Sequence, residues 1–241
     1  MIKQISAAMM LLAGARGAAL ADAPQTAATT AGIAPFAAHY VAAWKDINIG
    51  TSDLLLRRDP QRGHYVYTWR ISARGIFRLL YSHDVVQTSW FSLHDQHVRP
   101  EKYRADDASS AVSLNYDWPE HHARGTSEGK PLDLQLADGT QDVMSIQIEV
   151  MLDLQSGDMP DEFRIFDKNA IKQFQYTNEG KARIRTELGE LDTVIVASQH
   201  AGSDRILRMW FAPALNYLPV KAERTRGGKL EFAMRISTLR R

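Results

Sequence analysis

The sequence has no cysteine. That excludes disulfides, thiol catalysis and lipid attachment at an N-terminal cysteine. It also has little net charge. Its 29 Lys and Arg stand against 28 Asp and Glu, a formal +1. No global field therefore draws nucleic acid or an anionic membrane, and an extended ligand must be recognised by shape and local groups. No apolar run approaches the roughly 20 residues with which a helix spans a bilayer, so no transmembrane segment is expected. The glycine-rich "GARGAA" (14–19) follows no strand and is not a phosphate loop. No cofactor is implied.

Several features are present instead. Lys3, the apolar "ISAAMMLLAGA" (5–15) and the small-x-small "ALA" (19–21) read as a signal peptide over residues 1–21, cleaved after Ala21. Arg16 interrupts the stretch before the cleavage site. Losing Lys3 and Arg16 leaves 27 basic against 28 acidic residues, close to −1. Export of a cysteine-free chain points to the periplasm, with stability from the core alone. "DAPQTAATTAGIAP" (22–35) is rich in Ala, Thr and Pro and reads as a flexible tether. The folded domain is expected over residues 36–241.

Within that domain the dominant signal is alternation. "HYVYTWRIS" (64–72) puts Tyr65, Tyr67, Trp69 and Ile71 on one face, and Thr68 and Arg70 on the other. Period two with aromatic and β-branched residues marks a half-buried strand. Similar runs recur to the C-terminus, separated by turn residues such as "DPQRG", "NEGK", "LGEL" and "RGGK". The pairs 171–178 with 181–188, and 205–212 with 219–225, read as hairpins. A mainly β, single-domain antiparallel meander follows, curled into a barrel or half-barrel. One segment differs. Val143, Ile146, Val150 and Leu154 recur at helical spacing, Thr140 or Asp142 can cap the start, and Gly157 can stop it. This predicts one helix over about 142–155, packed against the sheet. "RGIFRLLYSH" (74–83) is either a helical turn or a kinked strand.

Sites that do chemistry are scarce. His94 and His97, and His121 and His122, are read as surface-loop histidines. Zinc needs three or four converging ligands, so no metal site is expected. Ser145 lies three residues after Asp142, which reads as helix-start capping rather than catalysis. No serine is read as a nucleophile, no carboxylate pair is signalled, and no catalytic residue is expected. The tryptophans are spread over separate strands. They either line an open cavity or fill a closed core. Ligand or contact candidates are Trp69, Trp90, Trp210, Phe211 and Tyr217. In "RMWFAPALNYLPVKAER" (208–224), Pro213 ends a strand, Asn216 is suited to positive φ in the turn, and Pro219 restarts an extended strand. Strand parity places Phe211 with Met209 on the inward face and leaves Trp210 at the rim.

These pieces resemble an exported bacterial family, domain of unknown function 3108. The resemblance runs from about Phe36 to Leu239. It is carried by Gln141-Asp142…Ser145, by Gly189…Thr193, and by Trp210-Phe211-Ala212-Pro213…Leu218-Pro219-Val220. It implies a periplasmic β-rich protein with a curved sheet and little helix. It supplies no activity and no catalytic residues to carry over. The first function class is then a non-enzymatic periplasmic protein binding an apolar or amphipathic envelope component, such as a lipid, on a curved sheet. The second is a structural or assembly factor that contacts another envelope protein through a sheet edge or the 208–224 hairpin. An uncharacterised hydrolase ranks last.

Overall fold

The computed structural model describes residues 33–241, apart from 46, 60, 62, 76, 81, 82 and 107–110. The expected signal peptide and most of the tether lie outside the described residues. Fifteen strands follow in chain order. The first eight are β1 (Phe36–Trp44), β2 (Ile47–Arg58), β3 (Tyr65–Ala73), β4 (Val85–His94), β5 (His97–Asp106), β6 (Val112–Asp117), β7 (His122–Ser127) and β8 (Lys130–Gln135). The rest are β9 (Gln141–Asp142), β10 (Glu162–Asp167), β11 (Ala170–Thr186), β12 (Gly189–His200), β13 (Arg205–Ala212), β14 (Leu218–Arg226) and β15 (Lys229–Arg240). A one-turn helix α1 (Phe77–Leu80) follows β3, and the helix α2 (Ser145–Ser156) follows β9.

All the strands belong to one sheet, ordered β8-β7-β6-β5-β4-β3-β2-β1-β15-β14-β13-β12-β11-β10-β9. Each strand pairs with its neighbours in sequence except at β8 and β9, and β15 returns to pair with β1, so two meanders join at the middle of the sheet. Its ends, β8 and β9, do not pair, so it is an open half-barrel. Every ladder is antiparallel except the two-residue β9–β10 bridge. The predicted mainly β meander with one packed helix is what the chain forms.

The inner face is apolar by period two. Tyr40, Leu54, Leu56, Tyr67, Phe91, Leu114, Val196, Phe211, Val220 and Ile236 are all fully or almost fully buried. α2 lies in the hollow of this face, with Ile146, Ile148, Val150, Met151 and Leu152 buried. At roughly 25 cal/mol per Å² of apolar surface, burying each such side chain contributes about 1.5–3 kcal/mol before entropy is counted. Side chains finish what the ladder leaves open. Ser89 of β4 donates to Asp142 Oδ2 at 2.7 Å, and the Gln141 amide donates to the Val98 carbonyl at 2.8 Å. Tyr103 of β5 meets Phe166 of β10 edge to face. The β9–β10 end is thus tied to β4 and β5 with no strand pairing between them.

α2 starts three residues later than predicted, and Asp142 sets its start from outside it. Asp142 Oδ1 accepts the N–H groups of Met144 and Ser145 at 2.8 and 2.9 Å, while Ser145 Oγ accepts the Asp142 N–H at 2.9 Å. Two donors of the first turn are satisfied this way. Thr140 does not cap; its hydroxyl donates to the Ala137 carbonyl. Gly157 stops the helix with φ 81°, its N–H reaching the Asp153 carbonyl.

Two readings of the sequence need correction. Residues 171–178 and 181–188 are not a hairpin. They form one 17-residue strand, β11, whose register slips between Asn178 and Gly180 opposite β12. Asn178 Oδ1 accepts the Gly180 N–H at 2.9 Å and Gly180 has φ +99°. The chemistry that reads as a turn builds a β-bulge, because β12 is long enough to pair with both halves. The histidine pairs, read as loop residues, sit at hairpin ends. His94 and His97 face each other across a two-residue turn in which Asp95 and Gln96 have φ 50° and 68°. His122 begins β7, a strand that the histidines and Gly125 conceal.

Candidate functional site

The aromatic candidates do not converge. Trp69 shares the inner face of β3 with Tyr65 and Tyr67, is half-buried, and donates its indole N–H to Ser52 Oγ at 2.6 Å. Trp90 is opposite Val66 on the outer face, with Lys102 Nζ 5.5 Å from its ring centroid. Phe211 is fully buried, and Tyr217 is half-buried in the turn after β13.

Trp210 is not a rim residue. It is 8% exposed, and Met209, Phe211 and Ala212 are buried beside it. Parity itself holds, since Trp210 is opposite Ile195 and Lys221 while Phe211 and Met209 are opposite Val194 and Val196, but the face that carries Trp210 is covered at this point. Lys221 Nζ lies 4.1 Å from the Trp210 ring, covering it with a cation–π contact. The turn itself forms as expected. Pro213 opens a 3₁₀ turn (Pro213–Leu215), Asn216 takes φ 56°, and the Pro219 carbonyl accepts the Tyr40 hydroxyl at 2.7 Å. This hairpin is core.

One serine motif, a G-x-S-x-G elbow that the sequence reading takes to be lacking, is present. Gly125, Ser127 and Gly129 have the G-x-S-x-G spacing of a nucleophile elbow. Here the segment is the β7–β8 hairpin, with Glu128 and Gly129 at φ 51° and 74°, and Ser127 opposite Lys130. No helix follows it, so the geometry that exposes a nucleophile is not built.

The polar groups that do converge come from two elements that the sequence keeps 52 and 56 residues apart, His97 on β5, and Glu149 and Asp153 on α2. Glu149 and Asp153 are four apart on the helix and so share a face. Both are buried. His97 Nδ1 is 2.7 Å from Glu149 Oε1, and Glu149 Oε2 accepts the Val98 N–H at 2.6 Å. One ligating atom from each of the three residues lies within 4.8 Å of the others. Asp153 Oδ2 is buried with no hydrogen-bond partner.

The electrostatics follow from this packing. Burial, together with the Glu149 charge, pushes the Asp153 carboxyl up to about 7. The hydrogen bond to Glu149 raises His97 above the usual imidazole range. His97 and Glu149 open onto a cleft of about 320 Å³ that is also lined by Phe163, Glu162, Arg164 and Gln173. A second opening, between Ile33, Phe36, Met151 and Leu239, is apolar and holds only about 20 Å³, room for about one water. The sequence reading missed this cluster. The Glu-x-x-x-Asp spacing inside a predicted helix was available as a signal. What the sequence does not display is that the β4–β5 turn reaches over that helix.

No curated protein matches the sequence. A solved structure described as that of a lipoprotein from Parabacteroides distasonis is 8% identical, with a TM-score of 0.38 over 86% of this chain and 96% of that one. One described as an exported protein with a YmcC-like fold from Bacteroides fragilis is 8% identical, with a TM-score of 0.35 over 86% and 95%. A chain of the Pseudomonas aeruginosa MucA/MucB complex is 12% identical, with a TM-score of 0.33 over 86% and 51%. Likeness at this level identifies neither ligand nor partner. The family match is stronger, because it spans residues 39–232 and so takes in every strand from within β1 to within β15. The chain belongs to DUF3108, a family of proteins of unknown function.

Proposed function

We propose that this is an exported protein of the bacterial cell envelope that acts by binding, not by turnover, and that it binds another envelope protein through the outside of its sheet. The observation that carries this reading is the filled hollow. α2 occupies the concave face where an amphipathic ligand would lie, and the apolar opening beside it holds about one water. Recognition then falls to the outer surface. There, three of the large exposed hydrophobic residues, Val41, Trp44 and Ile47, fall in the β1–β2 hairpin, with Ile47 58% exposed directly opposite Trp44. Exposed apolar groups gathered at one place mark interaction surfaces, and tryptophan is enriched among the residues that dominate such interfaces. Export rests on the signal-like N-terminus. No helix among the described residues is long and apolar enough to cross a membrane.

A photo-crosslinking residue at position 47, used in intact cells, tests this. The expected result is one discrete protein adduct that disappears when Trp44→Ala is added. An adduct to lipid instead would restore the amphipathic-ligand reading. No adduct at position 47 would refute the outer-surface proposal.

A further inference from the structure

We propose that His97, Glu149 and Asp153 form a binding site for a single divalent transition-metal ion of the Zn2+ type. Three donor atoms from these side chains already lie within 4.8 Å of one another. The independent sign of a ligand is Asp153. Its side chain is only 3% exposed, yet its Oδ2 atom has no hydrogen-bond partner. A buried carboxylate oxygen without a partner is costly, and the usual remedies are a proton donor, a water or a cation. The Glu149 carboxylate beside it makes the local charge negative, which favours a cation.

The scaffold suits a ligand set. Glu149 and Asp153 are fixed on successive turns of one helix. Glu149 is further oriented by the Val98 N–H at 2.6 Å, the kind of supporting hydrogen bond that holds metal-ligating carboxylates in place. The His97 side chain is 68% exposed, so it is free to rotate toward an ion. An ion would take the place of the hydrogen bond between His97 and Glu149. Access exists too, because His97 and Glu149 line the open cleft, and the coordination positions the protein does not fill would face it.

The donor set selects the ion. Ca2+ takes six to eight oxygens, and Mg2+ keeps several waters around one or two carboxylates. One imidazole with two carboxylates suits Zn2+ and its neighbours better. Bound there, the ion would pin the β4–β5 turn to α2 and relieve the stranded Asp153 oxygen.

Isothermal titration of the chelator-stripped full chain with zinc chloride tests the site, with a thermal melt alongside. The expected result is one saturable site per chain. At a free Zn2+ concentration 100-fold above Kd, a rise in Tm of about 5 °C or more is expected. His97→Ala removes an exposed side chain and leaves the fold intact. It should weaken binding at least tenfold, as should Asp153→Asn, whereas His94→Ala should not. Overturning results are no heat and no Tm shift with Zn2+, a response to Ca2+ or Mg2+ but not Zn2+, or binding unchanged by His97→Ala and Asp153→Asn.

Discussion

Replacing Asp142 with asparagine should stabilise the protein at neutral pH, although it removes a residue that organises the start of α2. Asp142 is fully buried, and burial lifts its carboxyl from 3.8 to about 6. Three hydrogen bonds act the other way. The Met144 and Ser145 N–H groups and the Ser89 hydroxyl all favour the charged form, yet burial prevails. In the unfolded chain the carboxyl ionises near pH 4, whereas in the fold it holds its proton to about pH 6. Between those values the native state binds the extra proton, so stability falls as pH rises through the window, and the full loss is present above it. At 1.36 kcal/mol per pKa interval of one, that loss is about 3 kcal/mol. Asparagine keeps the geometry without the charge. Its Oδ1 can accept the same two backbone N–H groups, and its amide can donate to Ser89 Oγ. Urea unfolding of both proteins from pH 4 to pH 8 reads the difference. Asp142→Asn should match the wild type near pH 4 and exceed it by about 3 kcal/mol at pH 7, or roughly 5–10 °C in Tm for a chain of this size. A wild type that is the more stable at pH 7, or a difference that does not vary with pH, would show that the hydrogen bonds outweigh burial and refute the reasoning.

Trp210→Ala should cost about 3–5 kcal/mol in urea unfolding, the range for a large aromatic lost from a core, because Trp210 is 8% exposed and packed beside Phe211. A loss under 1 kcal/mol would return it to the rim. Gly125→Ala should abolish soluble folded protein, judged by circular dichroism of the purified fraction. A Cβ at that position would sit 1.8 Å from the Ser113 carbonyl oxygen, which is backbone in the paired strand β6 and has nowhere to go.

The strands and the helix were legible because their signals are periodic and local. Tyr65, Tyr67 and Trp69 alternate in the sequence and alternate in space. What misled was the bulge. The segment Asn178–Lys181 has the residues of a turn, and nothing local distinguishes a reversal from a slip of one residue. The long β12 decides it by pairing with both sides. Trp210 misled for another reason: parity places it opposite Ile195 and Lys221, and Lys221 lies over its ring on that face. β7 was hidden differently. Its Gly125 is poor for a strand but is required by the close approach of β6.

The candidate site was half legible, and the missing half traces to the curl of the sheet. Register slips also fall at His39/Tyr40, Ala42/Ala43 and Trp90/Phe91. Bulges bend strands and increase twist, so they help a sheet wrap round a helix. That curl brings the β4–β5 turn over α2, and Asp142 holds the arrangement from the other side. Its Oδ2 is bound by Ser89 of β4, and its Oδ1 fixes the first turn of the helix. Glu149 lies four residues after Ser145 and Asp153 eight, so the position of both carboxylates relative to His97 is referred back to one buried side chain. The two experiments therefore couple. Asp142→Asn, which preserves the bonds, should leave Zn2+ affinity unchanged while raising stability. Asp142→Ala, which leaves two backbone N–H groups and the Ser89 hydroxyl without their partner, should weaken Zn2+ binding even in molecules that remain folded. Equal affinity in both variants would mean that the helix is held in register by its apolar face alone.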